Sequence, residues 1–191
     1  LTWAAMCVDD LLRTQQFIKG IFEAVKQLQK VQHRPIHILY AGTGPFATLI
    51  LPVLASYSPA DLQVTLIEIN KHSFDVLKKV IHQLHLNEYV RNLLHEDATT
   101  YQIPKGEKID ILLSETMQRA LAEEQQVSIV INLANQIDND FILIPEKIVL
   151  ELGLLNTNRM VTGGEKSEYY KKIAEVFELS ARQIERWPVL N

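Results

Sequence analysis

Residues Ile36-His-Ile-Leu-Tyr-Ala-Gly-Thr-Gly44 decide the reading of this chain, together with Val64-Thr-Leu-Ile-Glu68, whose acid falls 24 positions after Gly44. The first stretch is an apolar run that ends in glycines, the pattern of a buried strand turning into a loop. A helix is expected over 46–57, limited or kinked by Pro52. A second buried strand follows over 64–69, with the acid near its end. Strand, glycine loop, helix, strand and acid is the order of a nucleotide-binding crevice. Glycine lets a loop backbone approach a ligand with no Cβ in the way. A carboxylate at the end of the next strand can accept from both hydroxyls of a ribose.

The loop continues Gly42-Thr43-Gly44-Pro45-Phe46-Ala47. Ala47 occupies the third glycine place of the dinucleotide fingerprint, which tolerates it. Pro45 removes an amide donor that a pyrophosphate would use. S-adenosyl-L-methionine has no phosphate and does not need that donor. The loop by itself leaves three readings open: a dinucleotide module of an NAD-type oxidoreductase, an S-adenosylmethionine site, or a plain strand-to-helix turn.

Working outward, apolar periodicity predicts a helix over 4–30, carried by Leu11, Leu12, Phe17, Ile18, Phe22, Val25 and Leu28. A helix is expected over 73–86 and a short strand over 90–94, ending before His95-Glu96-Asp97. A buried strand over 109–113 ends in Ser114-Glu115. A helix is expected over 118–137. Two strands are expected within 141–155, split by Pro145-Glu146-Lys147, then a polar loop over 156–166 and a last helix over 167–186. Strands alternating with helices predict an α/β three-layer sandwich with a mostly parallel twisted sheet, Rossmann-like in class. Three parts are expected: an N-terminal helical cap (1–35), the ligand-binding α/β domain (36–155), and a C-terminal loop and helix (156–191). Ligands of such sheets sit at the carboxyl ends of strands. Gly42, Glu68, Asp97 and Glu115 all fall there, which is more informative than any one of them.

Composition narrows the classes. The chain has 191 residues, 47% apolar and 22% charged, the make-up of an ordinary globular core. A net charge of −4 gives no electrostatic footprint for nucleic acid. The single cysteine, Cys7, cannot form an internal disulfide and fits a reducing, cytoplasmic compartment. Asp9, Asp10 and Arg13 interrupt the N-terminal apolar residues, so neither a signal peptide nor a membrane span is expected. Leu1 in place of an initiator methionine fits a processed or excised piece. His82 and His85 lie three apart on a predicted helix without the Cys or acid partners of a metal site.

The chain resembles the class I S-adenosylmethionine-dependent methyltransferases over about residues 6–155. Its loop Gly42-Thr43-Gly44 is similar to their first motif, Glu68 to their ribose acid, and Asp97-Ala98 to the pair that meets adenine. Within that superfamily it looks most like the cofactor domain of protein arginine methyltransferases. Asp110-Ile-Leu-Leu-Ser114-Glu115-Thr116-Met117 and Glu124, nine positions after Glu115, resemble their double-glutamate segment. Ile144-Pro145-Glu146-Lys147 fits their next strand entry, and Asp10-Leu-Leu-Arg13-Thr14 their N-terminal helix. The departures are Thr116 for their tryptophan, Gln118 for the following glycine, Phe46 at the loop's third glycine, no Thr-His-Trp triplet, and too few residues after the sheet for their barrel. The Gly-x-Gly-Pro loop is also similar to that of nicotianamine synthase.

The resemblance implies a methyltransferase using S-adenosyl-L-methionine, with a small-molecule or protein acceptor, protein arginine among them, and an oligomeric state left open. Arg13 would meet the methionine carboxylate of the cofactor, and Gly42, Thr43, Gly44, Glu68, Asp97 and Ala98 would line the nucleoside. Glu115 and Glu124 would serve catalysis, Glu115 either on the acceptor or on the cofactor's ammonium. Each has a plainer reading. Glu68 would be a helix-start acid, Asp97 a turn cap, and Arg13 and Glu124 solvent-facing helix residues. Glu115 ends a buried strand, where an acid is costly unless paired. A domain that keeps the methyltransferase fold without catalysis is the remaining alternative, motivated by Thr116 and Gln118.

Overall fold

Alternate residues of β1 (Ile36–Ala41) feed two different cores. Ile36, Ile38 and Tyr40 join one cluster and Leu39 and Ala41 the other, so every residue of this strand is buried. A strand buried on both faces is what a continuous apolar run without alternation predicts. The computed structural model describes residues 10–117, 121, 125–163 and 165–184.

Four strands join β1: β2 (Leu62–Ile67), β3 (Val90–Leu94), β4 (Ile111–Ser114) and β5 (Ile142–Ile144), in the order β3-β2-β1-β4-β5. All four pairings are parallel. The chain runs outward from β1 to β3, then returns to build β4 and β5 on the other side, so strand order reverses between β1 and β4. Helices cover both faces. On one face α1 (Leu11–Gln29), α2 (Leu51–Leu54) and α3 (Lys71–Gln83) bury Ile21, Val25, Val53, Leu54, Leu77 and Ile81. On the other, α4 (Gln126–Ala134) buries Ile129, Val130 and Leu133. This is the three-layer, mostly parallel α/β arrangement expected from the sequence.

Beyond the sheet, β6 (Lys147–Leu155) and β7 (Tyr170–Ser180) form an antiparallel hairpin. Its base packs Ile148, Phe177 and Leu179 into the second core, while Leu152 and Leu154 are exposed. The polar loop expected over 156–166 holds a short α5 (Thr157–Val161), and the helix expected over 167–186 is replaced by strand β7 between a short α6 (Lys166–Tyr169) and α7 (Ala181–Ile184). Two register shifts explain the misreading. They leave Ile173 and Val176 without cross-strand partners. These extra residues break the two-residue alternation and space Tyr170, Ile173, Ala174 and Phe177 as a helix would.

The helix expected over 46–57 shrinks to α2, with Pro52 in its first turn. Ala47 stands at φ 44 and is fully buried, so the backbone turns sharply before the helix begins. Of the helix expected over 118–137, residues 126–134 are helical. The starts of the expected 4–30 helix and the end of the chain, with Gln118 and Glu124, lie outside the described residues.

The amino end of the sheet is fastened by polar groups. Asp110, immediately before β4, is fully buried. It accepts from Arg34 Nη1 and Nη2 at 2.8 and 2.7 Å, from Gln32 Nε2 at 3.0 Å and from the His37 amide at 2.8 Å. Burial pushes this carboxyl up, but the donors outweigh it and hold it below the usual range. His37, also fully buried, donates from Nδ1 to the Lys108 carbonyl at 3.1 Å and accepts at Nε2 from Thr65 at 2.9 Å. Burial, then the neighbouring Arg91 guanidinium, lowers its pKa to about 4.

Candidate functional site

The loop after β1 turns its amides inward. Gly42 N and Thr43 N both donate to the Ile67 carbonyl, at 3.0 and 3.4 Å. Gly44 N donates to Glu68 Oε2 at 2.8 Å, and Pro45 has no amide hydrogen. Gly42 and Gly44 stand at φ 75 and 62, where glycine is the residue of least strain. At Gly42 the constraint is also steric, since a Cβ would run into the Thr116 methyl. Above Gly44 there is open space.

Glu68 follows β2 and is 6% exposed. Its Oε1 accepts from Asn70 N at 2.7 Å while Oε2 takes Gly44 N. Two backbone donors fix the carboxylate and leave each oxygen a second acceptor position. The helix-start role falls to Asn70 instead, whose side chain caps α3 by accepting from Ser73 N at 3.0 Å. Ile69, beside Glu68, is 60% exposed, and its carbonyl accepts from His95 Nε2 at 3.0 Å.

Asp97, after β3, binds its own turn. Its Oδ1 accepts from Thr99 N at 2.8 Å and Thr99 Oγ1 at 2.7 Å, and its carbonyl accepts from Tyr101 N. Ala98 is buried in the second core, and its carbonyl accepts from Asn132 Nδ2 on α4. Thr43 is buried as well, with its hydroxyl donating to the Gly44 carbonyl at 3.2 Å.

Arg13 and Glu115 meet. Arg13 Nη1 donates to Glu115 Oε1 at 2.7 Å, across 102 residues of sequence. Asp10 caps α1 by accepting from Arg13 N, and its carboxylate also lies 3.5 Å from Arg13 Nε. The helix start is thereby set against the carboxyl end of β4. Two residues singled out separately in the sequence form one ion pair at the reversal of strand order.

The residue that sequence reading missed is Gln126. It is fully buried at the start of α4. Its Oε1 accepts from Thr116 N and Thr116 Oγ1, both at 2.9 Å, and from Ser114 Oγ at 3.2 Å. Its Nε2 donates to the Ser114 carbonyl at 3.0 Å. A glutamine in a polar helix start carries no one-dimensional signal for this; only its fixed distance from Ser114-Glu115-Thr116 could have suggested it.

A cleft of about 1180 Å³ lies elsewhere, between α1 at Phe17 and Gly20 and the β5–β6 junction at Pro145 and Glu146. It is wide open and touches neither the glycine loop nor Glu68, Asp97 or Glu115, so the chemistry of the sheet edge, not its volume, locates the candidate site. Among the described residues no group of three His, Cys, Asp or Glu side chains is placed to hold a metal ion. Among them, too, no helix is long and apolar enough to cross a membrane.

No family model matches the chain, and no curated protein does. Solved structures do. A SAM-dependent methyltransferase from Thiobacillus denitrificans, in complex with S-adenosyl-L-homocysteine, is 14% identical, with a TM-score of 0.49 over 81% of this chain and 57% of that one. Magnesium protoporphyrin IX methyltransferase from Synechocystis PCC 6803 is 14% identical, with a TM-score of 0.46 over 78% and 59%. A SAM-dependent methyltransferase from Aquifex aeolicus is 18% identical, with a TM-score of 0.45 over 67% and 63%. The chain spans less than two thirds of the length of each. By the order, direction and register of its own five strands, the chain has a Rossmann-like α/β fold.

Proposed function

We propose that this chain binds S-adenosyl-L-methionine at the carboxyl edge of its sheet and transfers the methyl group to an acceptor. The observation that carries the reading is the fate of the loop amides. Those of Gly42, Thr43 and Gly44 are spent on Ile67 and Glu68, and Pro45 has none. Positions 42–45 thus offer a pyrophosphate no donor, whereas Glu68 keeps two acceptor positions for ribose hydroxyls. That favours a nucleoside without phosphates over a dinucleotide.

The residues present fit the rest of the cofactor. Arg13 and Glu115 set a cation beside an anion, the complement of an α-amino acid zwitterion. Arg13 would hold the carboxylate and Glu115 the ammonium. Because Glu115 faces Arg13, it is assigned to the cofactor rather than to a cationic acceptor. Exposed Ile69 next to Glu68 offers an apolar wall for the base. When bound, the cofactor supplies a sulfonium, an already activated methyl donor. The chain's own part is then to orient donor and acceptor and exclude water, which is proximity catalysis.

Crystals grown with S-adenosyl-L-homocysteine test the assignment. The ribose should sit on Glu68 and the homocysteine end between Arg13 and Glu115. Ligand bound in the cleft beside α1, with Glu68 untouched, would overturn it.

A further inference from the structure

We propose that Gln126 is a positioning residue, which aims the Glu115 carboxylate at the amino-acid end of the ligand by clamping both of its neighbours. The inference rests on the cofactor reading above and adds to it a residue outside the ligand's reach. Glu115 lies between Ser114 and Thr116, and one buried side chain binds both. The acceptor for the Thr116 amide must be oxygen, and the donor to the Ser114 carbonyl must be nitrogen, so the amide of Gln126 has one allowed orientation. The two hydroxyls then both donate to the same oxygen.

The clamp has a second consequence. With its amide and hydroxyl held by Gln126, Thr116 turns its methyl onto Gly42. The segment after β4 is thereby locked to the glycine loop as well as to α4. The backbone of Glu115 cannot shift without breaking bonds made by residues on either side of it. Arg13 therefore meets a carboxylate whose place is set from within the protein. Preorganisation of this kind fixes the point from which a charged side chain projects before the ligand arrives, so less ordering is left to be done on binding.

Two ligands separate this role from general support of the fold. S-adenosyl-L-homocysteine carries the amino-acid end, and 5′-methylthioadenosine lacks it but keeps ribose and base. Gln126→Met should weaken S-adenosyl-L-homocysteine by about tenfold, the scale of lost hydrogen bonds to a positioning group, and leave methylthioadenosine within about twofold. Thr116→Val, which keeps the methyl and removes one donor, should show the same selectivity at about threefold and stays informative if Gln126→Met fails to fold. In a Glu115→Gln background neither substitution should cost further affinity, because the clamp acts through Glu115. Equal losses for both ligands, or additive losses with Glu115→Gln, would overturn the assignment of Gln126 alone. A wild-type chain that binds neither ligand would remove the cofactor reading, and this proposal with it.

Discussion

Strand β4 has an acid at each end, and each is paired with an arginine from the N-terminal part of the chain. Asp110 at the amino end meets Arg34, and Glu115 at the carboxyl end meets Arg13. The two acids differ in how far solvent reaches them. Asp110 is fully buried, and its two oxygens take four donors, so all its acceptor positions are filled. The Glu115 side chain is 12% exposed and its arginine partner 30%. A saturated, fully buried carboxylate fastens the fold, with only its Arg34 partner reaching solvent. A pair reachable from solvent, beside a glycine loop at the reversal of strand order, can exchange partners with a ligand. The sheet thus has a structural end and a candidate chemical end, told apart by the burial of the carboxylate rather than by residue type.

The strongest way to break the comparison is to remove one charge from each end. Asp110→Asn sets an amide NH2 against donors at a buried site that offers only donors, and should cost about 2–3 kcal/mol of stability. Glu115→Gln should cost about 1–2 kcal/mol, since solvent can rehydrate its partner. Urea unfolding of both variants would check the order; equal losses would dissolve the distinction.

Acid should act first on the amino end. The His37 pKa is lowered to about 4 from an ordinary 6.5, chiefly by burial, so folding favours the neutral ring. The stability this implies is present above the unfolded pKa near 6.5 and is lost as pH falls through 4. The whole difference is about 3 kcal/mol. The groups facing the ring are Thr65, the Lys108 carbonyl, Glu107, Arg91, Asp110 and Arg34. Asp110, held low by its donors, extends the loss to lower pH as it protonates. Urea midpoints between pH 7 and 4 should fall steadily, and His37→Asn should flatten that slope. A flat wild-type profile would contradict the account.

At the other end, Glu68→Ala should weaken S-adenosyl-L-homocysteine by about 1.5–3 kcal/mol, the scale of a charged hydrogen bond. The same change strands the amides of Gly44 and Asn70, so some stability should go with it. Calorimetric binding of a variant shown to be folded separates the two effects. Unchanged affinity would reduce Glu68 to a loop fastener.

Much of this was legible in the sequence where local pattern and tertiary role coincide. The run Ile36–Ala41 is apolar because both its faces are covered, and Gly42 and Glu68 mark strand ends because the chain must turn there. The hairpin was illegible because Ile173 and Val176, inserted by bulges, shift the alternation toward helical spacing. Helix α2 was overestimated because apolar residues continue through 46–50 while the backbone bends at Ala47. Arg13 and Glu115 were each visible, but their contact spans 102 positions and belongs to the fold. Gln126 was invisible for the same reason: a buried amide reads like any polar residue until its partners are known.

The central claim is that the carboxyl edge selects a nucleoside without phosphates. Titration calorimetry of the wild-type chain with S-adenosyl-L-homocysteine and, separately, NAD tests it most directly. The account predicts saturable binding of S-adenosyl-L-homocysteine and none of NAD. Saturable binding of NAD with no response to S-adenosyl-L-homocysteine would contradict it.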